Sequence, residues 1–174
     1  FLYALKFSRY GSHLKFLKSP ASTIGKFMRP ASRLEEHLGP VLVQLKPNWS
    51  VDVDRLEAFL KRTRGTRWAM EFRDPSWLRD EVFDLLREHN AALCIHDMID
   101  DHPYEITADW VYLRFHGDHY RGGYSRQFLT AQAGRIVGHL EDGLDVFAFF
   151  NNDAEGHAVR NALDLKSSVS SQSS

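Results

Sequence analysis

Short apolar, aromatic or β-branched runs recur along the chain, and each breaks into charge, amide or imidazole at its C-terminal end. They are FLYALKFSRY (1–10), VLVQLKPNW (41–49), WAMEFRDPSW (68–77), AALCIHD (91–97), WVYLRFHGDHYRGGYS (110–125) and VFAFFNND (146–153). A strand in a sheet covered on both faces is apolar nearly throughout. Polar groups gathered at the C-terminal ends of several such strands are how α/β barrels and open α/β sheets build a site. Six strands turning polar at the same end predict one shared site.

Helical periodicity fills the intervals. VDVDRLEAFLKRTR (51–64) offers Asp52 or Asp54 as cap and Leu56, Phe59 and Leu60 as an inner face. Ser76 is the expected N-cap of a helix through His89, with Val82, Phe83, Leu85 and Leu86 inward. SRQFLTAQAGRIVGHLEDG (125–143) carries Phe128, Leu129, Ile136, Val137 and Leu140 on one stripe and stops at Gly143. GHAVRNALDL (156–165) makes a last short helix. Residues 11–39, broken by Pro20 and Pro30, read as a basic loop and then a helix ending at Gly39. The Ser-rich 166–174 has nothing to bury and is expected to be disordered, which leaves 1–165 as one domain. Alternating β and α segments imply parallel strands joined by right-handed crossovers.

Side-chain parity sharpens this to a barrel. Trp68, Met70 and Phe72 alternate with Ala69, Glu71 and Arg73; Val111, Leu113 and Phe115 with Tyr112, Arg114 and His116; Tyr3, Leu5 and Phe7 with Ala4, Lys6 and Ser8. A layer of packed helices cannot receive the charged parity, because an unpaired buried charge costs several kcal/mol. Near the open end of a barrel these groups can pair with one another, with solvent or with a ligand. The expected fold is therefore α/β, a TIM-type (β/α) barrel.

Composition adds limits. No run reaches the roughly 18 apolar residues of a membrane span, and nothing resembles a signal peptide. The single cysteine, Cys94, excludes an internal disulfide framework; it reads as a buried structural thiol and makes a cytoplasmic setting the default. Charge is uneven: residues 1–66 hold twelve Lys/Arg against five Asp/Glu, and residues 67–174 ten against eighteen. Such asymmetry can mark an anion-binding side, although solvated helix faces produce it too.

The motifs, taken together, resemble the YecE-like family, a domain of unknown function and the seventy-second in its series. The likeness rests on ALKFSRY with His13 and Lys15, LGPVLVQLKP, MEFRDPSW, RFHG followed by Tyr120, Gly123 and Tyr124, and FFNND with Gly156, Ala158 and Asn161. It departs at Lys46, where a proline is usual, and at Asp74, where histidine is common. The resemblance implies a TIM-type barrel with no established activity. It also implies that the family's first two strand motifs are missing, so that six of eight strands are present and the chain is N-terminally truncated. Two bare sheet edges would then make the chain poorly soluble or dimeric through those edges.

Candidate chemistry centres on Glu71 and His116 as acid–base groups, since a carboxyl beside cations and an imidazole at a mouth can be tuned toward neutral pH. Lys6, Arg9, Gln44, Arg73, His96, Arg114, Tyr120, Tyr124 and Asn152 are the expected substrate-binding set. Guanidinium groups favour a phosphate- or carboxylate-bearing ligand, and the glycines at 122 and 123 permit close backbone approach. His96, Asp97, Asp101, His102, His116, Asp118 and His119 could serve a metal, but they lack fixed ligand spacing and no bound transition metal is expected. No GxSxG elbow, GxGxxG or Walker loop is present, so no cofactor is expected. These residues point to an enzyme, hydrolase or lyase in type, acting on a small anionic substrate. The alternative is a non-catalytic nucleic-acid- or protein-binding module using the basic N-terminal half with Tyr10, Trp49, Tyr120 and Tyr124, for which no recognised RNA motif exists.

Overall fold

Alternating apolar runs and amphipathic segments fold as α/β elements in a computed structural model that describes residues 1–117 and 122–173. Contacts gather the chain into two compact units: Phe1–Cys94 with Pro103–Ala108, and Ile95–His102 with the chain from Asp109 onward.

In the first unit, strands β1 (Tyr3–Lys6), β2 (Leu38–Gln44) and β3 (Trp68–Glu71) pair in parallel, and β3 pairs in parallel with the start of β4 (Ala92–His96). Val41, Val43 and Leu45 of the β2 segment and Trp68, Met70 and Phe72 of the β3 segment share one core. That core also takes Leu56, Phe59 and Leu60 from helix α2 (Val53–Leu60), and Val82, Phe83 and Leu86 from α3 (Asp80–Glu88). Period two thus meets periods three and four, and the opposite parity, including Gln44 and Glu71, is set apart from that layer. Asp52 is the cap of α2, accepting from Arg55 N at 3.1 Å.

Three local expectations change. Helix α1 (Pro20–Ala31) begins on a proline, as a first turn allows. It stops behind Pro30 instead of running to Gly39, and Gly39 lies inside β2. A Cβ there would sit 3.1 Å from the Tyr3 carbonyl oxygen, so glycine lets β1 and β2 approach. Ser76 does not cap α3, whose N-cap is Arg79. Ser76 lies in a 3-10 turn, where Asp74 accepts from its N–H at 3.0 Å and its own hydroxyl accepts from Val51 N at 2.9 Å. A serine hydroxyl can satisfy any nearby orphan donor, and here a distant loop supplies one.

In the second unit, β5 (Trp110–Phe115) and β6 (Asp145–Phe150) pair in parallel without a break, from Trp110 opposite Asp145 to Phe115 opposite Phe150. Phe115 stacks on Phe150 and meets Phe128 of α4 (Arg126–Glu141) edge-on, whereas Tyr112 stacks on Phe149 at 4.9 Å. Ser125 is the N-cap of α4, accepting from Phe128 N at 3.2 Å. Gly143, at φ 79°, follows the end of α4 where left-handed backbone favours glycine. Helix α5 (His157–Gln172) continues through most of the segment expected to be disordered. Leu165 and Val169 lie one turn apart on α5 and line one groove with Ile136 and Leu140 of α4, which gives the Ser-rich segment an apolar anchor the composition did not suggest. Among the described residues no helix is long and apolar enough to cross a membrane.

Candidate functional site

Polar side chains collect at the strand C-termini in two clusters, one in each unit. In the first unit the pleat turns Lys6, Gln44 and Glu71 to the parity away from the helices. Lys6 Nζ donates to Gln44 Oε1 at 2.8 Å, and Gln44 Nε2 donates to Glu71 Oε1 at 2.7 Å. Arg73 Nε donates to the same oxygen, forming the ion pair that parity predicts for Glu71. The Glu71 side chain is 0% exposed and that of Arg73 9%. Its second oxygen faces the Cys94 thiol, Sγ to Oε2 3.9 Å, and that thiol is itself buried. Glu71 is thus a buried carboxylate that fixes an amide and a guanidinium.

Beyond β1, Arg9, His13 and Lys15 lie on or beside a π-type turn (Tyr10–Leu14). A Cβ on Gly11 would overlap the Phe7 ring, which cannot yield because it is packed against Phe27, Phe59 and Trp68 at centroid distances of 5.2, 5.6 and 5.8 Å. Gly11 therefore lets this turn seat on the core. Ser12 Oγ lies 2.9 Å from His13 Nδ1. Burial, then Arg9, Lys6 and Lys46, hold the His13 imidazole below its ordinary pKa.

In the second unit Asp97, the first residue after β4, gathers donors. His116 N donates to Oδ1 at 2.9 Å, His116 Nδ1 lies 3.1 Å from the same oxygen, and Gly117 N donates to Oδ2 at 3.3 Å. The Tyr124 hydroxyl donates to Oδ2 and accepts from Gly117 N. Burial alone would raise the Asp97 carboxyl; the hydrogen bonds from His116 and Tyr124 outweigh it and bring the pKa down to about 2. Burial, the bond to Asp97 and its charge push the Tyr124 phenol up, so it stays protonated. The His116 side chain is buried, and its Nδ1 faces the Asp97 carboxylate, which can only accept. Arg114 Nε donates to Asn151 Oδ1 at 3.0 Å. His96 accepts from Met98 N through Nδ1 at 3.1 Å, and its ring centroid lies 4.4 Å from that of His102 and 6.0 Å from that of His116.

Within the expected set, Lys6, Gln44, Glu71 and Arg73 form one bonded chain, and Arg9 lies at the start of the turn that follows β1. His96, Arg114, His116 and Tyr124 fall in the second cluster. Asn152 turns instead toward α5: its Nδ2 donates to Gly122 O at 2.7 Å and to Asn161 Oδ1 at 3.0 Å. Asn151 takes the place beside Arg114, and sequence reasoning missed it, although extending the β6 alternation by one residue past Phe150 selects it. Asp97, which the sequence offers only as a metal ligand, is the centre of the second cluster. Tyr120, with Asp118 and His119, lies outside the described residues. Among the described residues no group of three or more His, Cys, Asp or Glu is placed to hold a metal ion. A cavity of about 590 Å³ in the first unit is apolar, bounded by Leu5, Phe27, Pro30 and Leu34, and excludes Glu71 and Arg73.

The Asp97 carboxylate sets an acid dependence. Its folded pKa lies below the ordinary 3.8, so its stabilising effect is full above pH 4 and is lost as the pH falls through about 2. Because the side chain is 30% exposed, solvent screening reduces this to about 1–2 kcal/mol. Urea unfolding between pH 5 and pH 2, followed by Trp110 fluorescence, should show that loss in the wild type and not in Asp97→Asn. Parallel pH curves for the two proteins would contradict the assignment.

A family model described as "Protein of unknown function DUF72" matches residues 1–174. A DUF72 family protein from Thermotoga maritima is similar at 26% identity with a TM-score of 0.88, over 98% of this chain and 74% of that one. One from Enterococcus faecalis shares the fold at 20% identity with a TM-score of 0.82, again over 98% and 74%. No curated protein matches.

Proposed function

This chain belongs to the DUF72 family of proteins of unknown function, and from that premise we propose that it is an enzyme of hydrolase or lyase type acting on a small phosphate- or carboxylate-bearing substrate. The parallel βα succession is read as part of a TIM-type barrel, whose strand C-termini are where such folds place their chemistry. The carrying observation is the Asp97–His116 pair, with Nδ1 and Oδ1 3.1 Å apart. Asp97 orients the ring and stabilises the imidazolium that forms when Nε2 takes a proton from water, for hydrolysis, or from the substrate, for elimination. The same nitrogen then returns the proton to the leaving group. Arg114, oriented by Asn151, supplies positive charge in this unit, while His96 lies near the His116 ring and Tyr124 bonds Asp97. In the first unit, taken by itself, Glu71 holds Arg73 and Gln44, and Gln44 accepts from Lys6. The lone buried Cys94 suits a reducing, cytoplasmic setting.

The test is a substrate screen of the wild type and His116→Ala, run in parallel against phosphate monoesters, phosphate diesters, carboxylate esters and 2-hydroxy acids. Product is followed by ³¹P and ¹H NMR. Turnover of at least one anionic class by the wild type, absent in the variant, is expected. Wild-type inertness across all classes would remove the enzyme reading.

A further inference from the structure

Residues 1–34 hold seven Lys/Arg and no Asp or Glu. In the first unit part of that charge meets aromatic rings in place of carboxylates. On the turn after β1, Lys15 Nζ sits 5.6 Å over the Tyr10 ring, and the backbone ties the two, Lys15 N donating to Tyr10 O at 2.9 Å. The next residue, Phe16, has Lys46 Nζ 5.6 Å over its ring and meets Trp49 edge-on at 5.0 Å. The Arg55 guanidinium, in the first turn of α2, lies 5.8 Å over Trp49 and pairs with Asp52 at 2.9 Å. Contacts thus run without a gap from Tyr10 through Lys15, Phe16 and Trp49 to Arg55, with Lys46 alongside. Trp49 is itself fixed: it meets the buried Trp77 edge-on, and Trp77 Nε1 donates to Trp49 O at 2.6 Å. Lys15 and Lys46 are exposed, and among the described residues neither has a carboxylate partner. A ring holds a cation in place without neutralising it. The strip therefore keeps its positive charge and presents it at set points.

We infer that this strip is a docking surface for single-stranded RNA. Its charge complements a run of phosphates, and unneutralised cations gain by releasing the counterions of a polyanion. Tyr10 is 46% exposed and offers a ring on which an unpaired base can stack, a contact that a duplex withholds. Asn48 and Ser50, both exposed, flank Trp49 with an amide and a hydroxyl that can donate and accept, as a ribose 2′-OH requires. A membrane surface fits less well. Leu14 is the one aliphatic side chain of the turn Tyr10–Leu14, and interfacial anchoring needs a whole apolar face. The strip lies wholly in the first unit and does not draw on the Asp97–His116 chemistry.

The experiment titrates a labelled single-stranded RNA of about ten nucleotides, within the usual footprint of such surfaces, with the full 174-residue chain. Anisotropy is read at several salt concentrations. Saturable binding is expected, with a log–log salt slope of about −2, as three neutralised phosphates on a single strand give. Lys15→Gln and Lys46→Gln should each weaken binding about three- to tenfold and make the slope shallower by about 0.7. Tyr10→Ala should cost about tenfold with the slope unchanged, which separates stacking from charge. Arg62→Gln, just past the far end of α2 from Arg55, should leave binding as it is. Urea midpoints of all four variants separate lost contacts from lost folding. No saturable binding, or an equal loss for Arg62→Gln, would overturn the assignment. So would equal affinity for DNA or duplex RNA of the same sequence. Binding to phosphatidylserine vesicles with none to RNA would overturn it in favour of a membrane surface.

Discussion

Replacing Glu71 by alanine should lower the stability of the first unit by about 3–5 kcal/mol, the usual result of removing one partner from a buried ion pair. The Glu71 side chain has no exposed surface, and one of its oxygens serves both Gln44 and Arg73. Alanine strips this carboxylate from a guanidinium that is only 9% exposed and leaves the Gln44 amide without its acceptor. It also opens a void beside Cys94. Glu71→Gln keeps shape and one acceptor, so it should cost about half as much. The double variant Glu71→Ala/Arg73→Ala should cost less than the sum of the singles, since each single change strands the other group. Urea unfolding followed through Trp68 and Trp77, which belong to this unit, measures it. A loss below about 1 kcal/mol for Glu71→Ala would show that the pair behaves as an exposed one.

That ion pair was legible in the sequence for a simple reason. A strand repeats every two residues, so the order Trp68-Ala69-Met70-Glu71-Phe72-Arg73 places two opposite charges on one face and three large apolar side chains on the other. The core confirms the sorting: Trp68, Met70 and Phe72 are all buried in it. Legibility ends where the pleat ends. After Phe150 the alternation holds for one more residue, which brings Asn151 to Arg114, and then the chain turns, sending Asn152 to Asn161 on α5. Two adjacent asparagines look alike in sequence, and only the turn separates their roles.

Capping residues were legible where the helix followed directly. Asp52, one of the two caps offered there, accepts from Arg55 N three residues on. Ser76 failed because a proline–serine turn intervened and a distant backbone donor, Val51 N, claimed the hydroxyl. Helix α5 outran its composition for a related reason. Serine has modest helix propensity, but Leu165 and Val169 supply an apolar row that tertiary contact with α4 can use. The Asp97–His116 pair was half visible. His116 stood out as an imidazole at a strand end, whereas its partner lies nineteen residues earlier, just past the end of another strand, a contact no local pattern encodes.

That pair also carries the largest expected effect on activity. On a substrate found by the screen, His116→Ala should lower kcat/KM by about 10²–10⁴-fold, the range of a lost general acid–base group. Asp97→Ala should fall in the same range, because without Asp97 the neutral ring is free to place its proton on Nε2 and lose the lone pair the step needs. The double variant should be little worse than either single, since the two groups act as one device. Tyr124→Phe removes one donor to Asp97 but leaves Gly117 N and both His116 contacts in place, so a loss of tenfold or less is expected. A structural latch predicts a different pattern, in which activity tracks stability and Tyr124→Phe is as damaging as His116→Ala. Measuring kcat/KM and urea midpoints on the same four variants separates the two. If every loss of activity is matched by a proportionate loss of folded protein, His116 is a fastening between β5 and the loop that follows β4, and the acid–base role is wrong.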